Sequence, residues 1–130
     1  MNLSTTQKLL AIAETTAQEQ GFSISISVVD LAGLQVGFAR MDGAALGTID
    51  VAIKKARTAA LFHTDSLQLG LLARAGEALY SIENTNGGLI SFGGGVTIEN
   101  EQGRIIGALG IAGATLEADE IIAQHVKAVM

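Results

Sequence analysis

The chain has 130 residues, a formal net charge of −5 and an isoelectric point of about 4.8. This acidic balance argues against a nucleic-acid partner, because proteins that bind phosphate backbones carry a basic surface. Cysteine is absent, which excludes a disulfide framework, a thiolate metal site and a cysteine nucleophile. The length predicts a single domain over residues 1–130.

The composition and the most apolar segments of the chain indicate its cellular compartment and its oligomeric state. The opening MNLSTTQKLL lacks the charged-then-apolar layout of a secretory signal, and IIGALGIAGATL is too short and glycine-rich to span a bilayer. We therefore expect a cytoplasmic protein with no membrane partner. Hydrophobic residues make up 48% of the chain and charged residues 16%. The excess of apolar surface that this implies predicts a homo-oligomer, a dimer or larger.

The first two predicted elements are a helix and a strand. Apolar residues at helical spacing predict a helix over residues 4–20, with Ser4 or Thr5 as its cap and Gly21 at its end. The segment SISISVVD, residues 23–30, alternates isoleucine or valine with serine. Strict alternation is typical of a strand with one buried face.

A hairpin and two helices follow. The turn DLAG leads into LQVGFAR, residues 34–40, as the antiparallel partner strand. A helix is predicted over about 48–62, since its first residue is a threonine and a good N-cap. A shorter helical stretch opens at Thr64 or Ser66 and continues through Leu79.

The second half reads as three strands and a final helix. The strands are LISFGG, GVTIE and RIIGALGIAG, and NEQG supplies the turn between the last two. Thr115 caps a helix that ends near Met130. The order α-β-β-α-α-β-β-β-α places strands in hairpins, which favours an α+β fold with an antiparallel sheet over a crossover fold.

Three consecutive glycines, Gly93 to Gly95, raise the question of a phosphate loop. Such a loop lies between a strand and the N-terminus of a helix, whereas here a strand follows and no Gly-Lys-Ser/Thr is present. The elements around the glycines therefore argue against a nucleotide-binding phosphate loop. A tight corner without side chains, between two strands, is the preferred interpretation.

A second glycine set lies in GALGIAGA. Strand alternation puts Ala108, Gly110 and Ala112 on one face, which is nearly bare of side chains. A bare face lets a helix, a neighbouring subunit or a planar ligand approach the backbone, and the pattern does not choose among them.

The helix TIDVAIKKARTAALF carries a lysine on its small-residue side. The stripe of alanines at helical spacing consists of Ala52, Ala56, Ala59 and Ala60. Lys55 falls on that stripe, whereas Arg57 lies off it. A buried ammonium needs a partner or a path to solvent, so Lys55 either pairs with Asp30 or Asp42, or binds a carboxylate or phosphate of a ligand.

Neither histidine has a second ligand at metal spacing, so no metal site is predicted. His63 ends the second long helix and His125 lies in the last one. Each suits a capping or surface position, or could serve as axial ligand to a bound macrocycle. The acids Glu117, Asp119 and Glu120 open the last helix, where the helix dipole favours negative charge.

Four segments resemble the GlcG/HbpS-like family of haem-binding, or haem-degrading, domains. The segments, in order, are SVVDLAGLQVGFARMDGA, AIKKARTAALF, NGGLISFGGGVTIENEQGRIIGALGIAG and EADEIIA. The same domain forms the C-terminal part of PduO-type cobalamin adenosyltransferases. The resemblance implies a profilin-like α-β-α sandwich with an antiparallel sheet of about five strands flanked by helices, and a homo-oligomer.

The resemblance also implies haem, or a related tetrapyrrole, as a small-molecule ligand. On that hypothesis a cation lies near the propionates, His63 is the candidate axial ligand, and the bare strand face accepts the ring. The residues assigned to this site are Arg40, Lys55, Arg57, His63, Gly110 and Ala112.

Two alternatives stay open. One is an enzyme acting on a small carboxylate or hydroxy acid in glycolate or diol metabolism, with Lys55 and either Asp30 or Asp42 as its acid–base groups. The other is an oligomeric accessory subunit. No catalytic triad or cofactor motif in the sequence favours the enzyme.

Overall fold

The computed structural model describes all 130 residues. Four strands form one antiparallel sheet in the order β2-β1-β4-β3: β1 (Ser25–Asp30), β2 (Gln35–Arg40), β3 (Gly95–Glu99) and β4 (Ile105–Ala112). The helices are α1 (Leu3–Glu19), α2 (Thr48–Phe62), α3 (Ser66–Leu72) and α4 (Leu116–Val129), with one short 3₁₀ turn at Ile82–Asn84. The predicted α+β class and antiparallel sheet are confirmed, but the sheet has four strands and not about five. None of the helices is both long and apolar enough to cross a membrane.

The missing fifth strand is the segment before the three glycines. Residues 89–94 form no strand, and three of their amides, those of Ile90, Ser91 and Gly94, donate to side-chain oxygens. The amide of Ile90 donates to Thr58 Oγ1 at 3.0 Å, and the amide of Gly94 donates to Glu120 Oε1 at 3.0 Å. Side-chain oxygens thus satisfy polar groups that a fifth strand would have paired with backbone.

Most helix and strand boundaries lie where the sequence predicts them, but the N-caps of the first two helices are not the predicted residues. Asn2, rather than Ser4 or Thr5, caps α1 by accepting from the Thr5 amide at 2.8 Å. Gly47 occupies the N-cap of α2, since the hydroxyl of Thr48 bonds elsewhere.

The helix predicted to continue through Leu79 ends at Leu72. Gly76 follows within four residues and has a φ of +86°, a conformation that a right-handed helix cannot contain. Thr115 caps α4 as predicted, accepting from the Ala118 amide at 3.0 Å.

Helices cover both faces of the sheet. Helices α1 and α4 pack on one face over the larger core, which consists of Leu9, Ala13, Ala17, Ile24, Ile26, Val28, Val96, Ile98, Leu109, Ile111, Ile122, Ala123 and Val126. Helix α2 covers the other face through Ala56, Ala59 and Ala60, which pack with Val29 and Ala108.

Strand β1 is central, and the prediction that only one of its faces is buried is wrong. Ser25 and Ser27 are fully buried under α2. Their hydroxyls are satisfied there, Ser25 with Thr48 Oγ1 at 2.9 Å and Ser27 with Gln35 Oε1 at 3.0 Å. Serine therefore acts on this face as a small residue with an internal hydrogen-bond partner.

The bare face of β4 is covered by a helix. A Cβ placed on Gly110 would overlap the carbonyl oxygen of Ala52 and lie 2.7 Å from the amide nitrogen of Ala56, both in the backbone of α2. Of the three interpretations left open by the sequence, close helix packing is the one realised at Gly110.

We expect Gly110→Ala to lower the free energy of unfolding by about 2–3 kcal/mol, because the methyl group meets rigid helix backbone rather than a flexible side chain. Gly47→Ala is the control, since a Cβ placed on Gly47 would have nothing within 4 Å and its φ is −62°. It should change stability by less than about 1 kcal/mol. Urea denaturation of both variants tests this, and equal losses would contradict the packing described.

Candidate functional site

A buried ion pair joins α2 to α4 at one end of the sheet. The side chain of Lys55 is 0% exposed, and its Nζ donates to Asp119 Oδ2 at 3.0 Å and to the Ile111 carbonyl at 2.8 Å. The same nitrogen lies 5.1 Å from the ring centroid of Phe92, within range of a cation–π contact. The prediction of a buried lysine that needs a partner is confirmed.

The predicted partners, Asp30 and Asp42, are wrong. One carboxylate oxygen of Asp30 accepts from the Ala32 and Leu34 amides, each at 2.9 Å, and so builds the β1–β2 turn. Asp42 is exposed in the loop after β2. Neither reaches Lys55.

Asp119 is the residue that sequence reasoning missed. The helix dipole alone accounts for an acid at this position, yet Asp119 stands three and seven residues before Ile122 and Val126, on the buried stripe of α4. That spacing is the signal that could have found it, because a carboxylate on an apolar stripe needs a buried partner. Its second oxygen accepts from the Ala114 amide at 2.9 Å.

Burial lowers the pKa of Lys55 below its ordinary value of 10.5, since removing water disfavours the ammonium. The carboxylates of Asp119 and Glu120 oppose that shift by attracting the charge. The pair thus depends on a balance between desolvation and a short, well-oriented contact.

An apolar cleft of about 440 Å³ opens beside the pair. It is lined by Leu67, Phe92, Gly93, Leu116, Glu117, Glu120 and Ile121, which come from α3, the glycine corner and the first two turns of α4. Phe92 belongs to both features, since it lines the cleft and also lies against the ammonium of Lys55. The cleft is therefore positioned by the buried pair.

Gly93 and Gly94 form a corner at the cleft, but the corner leads from an irregular segment into β3 at Gly95 and does not join two strands as predicted. Gly94 has a φ of +120°, and a Cβ there would lie 2.7 Å from Lys55 Nζ. A Cβ on Gly93 would lie 3.1 Å from that of Glu120. Side chains at these positions would displace the lysine or close the edge of the cleft.

The residues assigned to the ligand from sequence do not converge. Lys55, Gly110 and Ala112 are buried, and Gly110 lies under α2. Arg57 packs with its aliphatic part near the β1–β2 turn, 3.8 Å from the Cβ position of Gly33. None of these four residues lines the cleft.

The remaining two assigned residues lie at opposite ends of α2. Arg40 sits opposite Ser25, whose hydroxyl contacts Thr48 at the start of that helix, and it lines a separate, polar cleft of about 460 Å³. His63 is the C-cap of α2, exposed and in a left-handed conformation. A helix of 15 residues is about 22 Å long, so the two side chains do not share a pocket.

The second histidine lies outside the cleft, in a separate cavity that it lines together with residues of α1. His125 is exposed and follows Ile121 by four positions on α4, so the two are neighbours on one helix face. No group of three or more His, Asp or Glu side chains is placed to share a metal ion.

We expect Lys55→Met to lower the free energy of unfolding by about 3–5 kcal/mol, because Asp119 is then left buried without its counter-charge. Lys55→Met combined with Asp119→Leu should cost clearly less than the sum of the single changes. Lys54→Met is the matched control one residue away: its pair with Asp50 is 3.1 Å long but exposed, and should contribute less than about 1 kcal/mol. Additive losses in denaturant titrations would contradict the coupling.

Comparison with known proteins places the chain in a family. The family model described as haem degrading protein HbpS-like matches residues 1–128. An uncharacterised 15.0 kDa protein from the dhaT-dhaS intergenic region of Citrobacter freundii is 30% identical over 125 residues, which cover 95% of this chain and 87% of that protein.

Two further likenesses concern PduO. The corrinoid adenosyltransferase PduO of Citrobacter freundii is 36% identical over 118 residues, covering 90% of this chain but 35% of that enzyme, so this chain spans about a third of it. The crystal structure of a PduOC:haem complex is 33% identical with a TM-score of 0.93, covering all of this chain and 94% of the other. The resemblance found in the four sequence segments is thereby confirmed, and the chain belongs to the HbpS-like family of haem degrading proteins.

Proposed function

We propose that this chain binds haem, or a related tetrapyrrole, as a homo-oligomer, and that the apolar cleft beside Phe92 receives the ring. The observation that carries the proposal is the likeness to PduOC, whose structure was determined as a haem complex and which matches this chain over its whole length. The family description points to the same ligand.

The lining of the cleft suits the apolar face of a macrocycle. Leu67, Phe92, Leu116 and Ile121 supply the walls, and sites for flat cofactors are concave and mostly apolar. Leu116 and Ile121 are 58% and 60% exposed, which is high for such side chains. Covering them with a ring removes apolar surface from water and stabilises the complex.

Two histidines, neither of which lines the cleft, are the candidates for an axial ligand. His63 precedes Leu67 by four residues, so their Cα atoms are at most about 15 Å apart. His125 is one helical turn from Ile121. We retain His63 as the proposed axial ligand and treat His125 as the alternative. When bound, haem supplies a redox-active iron whose properties the axial ligand and the polarity of the pocket set.

The negatively charged propionates of a haem in this cleft would be repelled by carboxylates in its lining. Glu117 and Glu120 line it, and no arginine or lysine does. Lys55 is enclosed and already paired, so it cannot reach a propionate. Propionates of a ring in this cleft would therefore be solvated by water and not paired with a protein cation, since neither Arg40 nor Arg57 lines the cleft.

The binding hypothesis is preferred to an enzyme that uses Lys55. Its ammonium is fully enclosed and donates to two protein oxygens, so a small acid cannot contact it without breaking the pair. No residue arrangement in the structure favours the accessory-subunit alternative over a binding role.

A haemin titration followed by Soret absorbance tests the proposal. We expect a saturable band for the unaltered chain, a lost or shifted band for His63→Ala, and an unchanged band for His125→Ala. A loss confined to His125→Ala would move the axial ligand to α4. The absence of a saturable band in the unaltered chain would refute haem binding.

A second variant tests the location of the ring. Ile121→Asp puts a charge on an apolar wall and should weaken haem binding by at least about tenfold, since a charge must then be desolvated. Leu46→Asp is the control, because Leu46 is 72% exposed in the loop before α2 and does not line the cleft. Equal affinities for both variants would place the ring outside this cleft.

A further inference from the structure

The two edge strands of the sheet, β3 and β2, differ in whether their outward backbone groups have hydrogen-bond partners. On β3, Ser66 Oγ accepts from the Gly95 amide at 2.9 Å and donates to the Phe92 carbonyl at 2.7 Å, with the Gly95 carbonyl farther away at 3.3 Å. Asp65 Oδ1 accepts from the Thr97 amide at 3.0 Å. The first residues of α3 thus cap the outward backbone groups of this edge and prevent it from pairing with another strand.

The edge of β2 has no such caps. Met41 donates its amide to the Ile24 carbonyl, and the antiparallel register continues with Ala39 opposite Ile26. Hydrogen-bonded pairs alternate along an antiparallel ladder, so the amides and carbonyls of Phe38 and Arg40 point away from the sheet. No side chain forms a hydrogen bond with the backbone of residues 35–40.

The devices that usually protect an edge strand are scarce on β2. It contains neither proline nor lysine, and Arg40 is its single charged residue. Val36 forms a bulge, which leaves residues 37–41 as the regular part of the edge. Helix α2 packs over the other three strands, and Leu34 just before β2 is 66% exposed.

We infer that the edge of β2 pairs antiparallel with the same edge of a second copy of this chain, which joins two four-stranded sheets into one of eight. This inference specifies the surface used by the homo-oligomer in the proposed function. A second copy fits because the edge is complementary to itself: a twofold axis at Ala39 places Phe38 opposite Arg40 of the second copy, twice.

That register satisfies three constraints together. It pairs the free amides and carbonyls of both strands, and it keeps the bulge at Val36 outside the ladder. It sets an aromatic ring against a cation on each side of the axis. A twofold axis at Arg40 would instead place like charges directly opposite, which is unfavourable.

Disulfide trapping without haem tests the register, since the natural chain has no cysteine. In the proposed ladder the two Ala39 residues face each other as a non-hydrogen-bonded pair, with Cα atoms about 4.5 Å apart, within the range of a disulfide. Ala39→Cys should therefore form a covalent dimer under mild oxidation. Leu34→Cys, exposed and five residues away, should stay uncross-linked.

Sedimentation analysis of Phe38→Lys gives an independent test. A lysine on this edge should raise the dimer dissociation constant at least about tenfold while the circular dichroism spectrum stays unchanged. A monomeric natural chain at micromolar concentration would overturn the inference. An oligomer that resists Phe38→Lys and is not trapped at position 39 would also overturn it, yet leave haem binding and assembly through another surface intact. Failure of the haemin titration with a trapped dimer would refute only haem binding.

Discussion

The buried ion pair between Lys55 and Asp119 ties together the helices that cover the two faces of the sheet. Lys55 comes from the helix on one face of the sheet, and Asp119 from a helix on the other. Burying two charges costs several kcal/mol unless every remaining donor and acceptor is satisfied. Here the Ile111 carbonyl, the Ala114 amide and the Phe92 ring complete the shell, and no buried side-chain polar atom in the structure lacks a partner.

Small residues make that arrangement possible. Alanines on α2 and the bare face of β4 bring helix and sheet so close that the lysine side chain has no route to water. Serines on β1 keep the layer thin and bond internally. Large rings at these positions would separate α2 from the sheet.

Close packing on the inside leaves apolar surface on the outside. The glycine corner and the start of α4 expose leucine, isoleucine and phenylalanine around one cleft, with carboxylates at its side. An apolar cleft beside a buried ion pair suits the face of a flat ligand, and it is there that we propose haem binds. At the far side of the sheet the uncapped edge of β2 offers backbone groups instead of a pocket. The apolar cleft and the β2 edge thus lie on different parts of the molecule, and one offers apolar side chains while the other offers backbone hydrogen-bonding groups.

Signals within the sequence were enough to predict four features: the alternating strands, the Asp30 turn, the Thr115 cap and the antiparallel α+β class. These depend on hydrogen bonds and periodicities within a few residues, and so can be predicted from short windows. The sequence also identified Lys55 as buried. Three features could be seen only in the folded chain. The partner of Lys55 is Asp119, 64 residues away, and β1 is covered on both faces. Residues 89–94 form no strand, and the amides of Ile90 and Gly94 donate to side chains. Each of these depends on which elements pack against each other. The residue pattern of a segment does not show which distant segment it will contact.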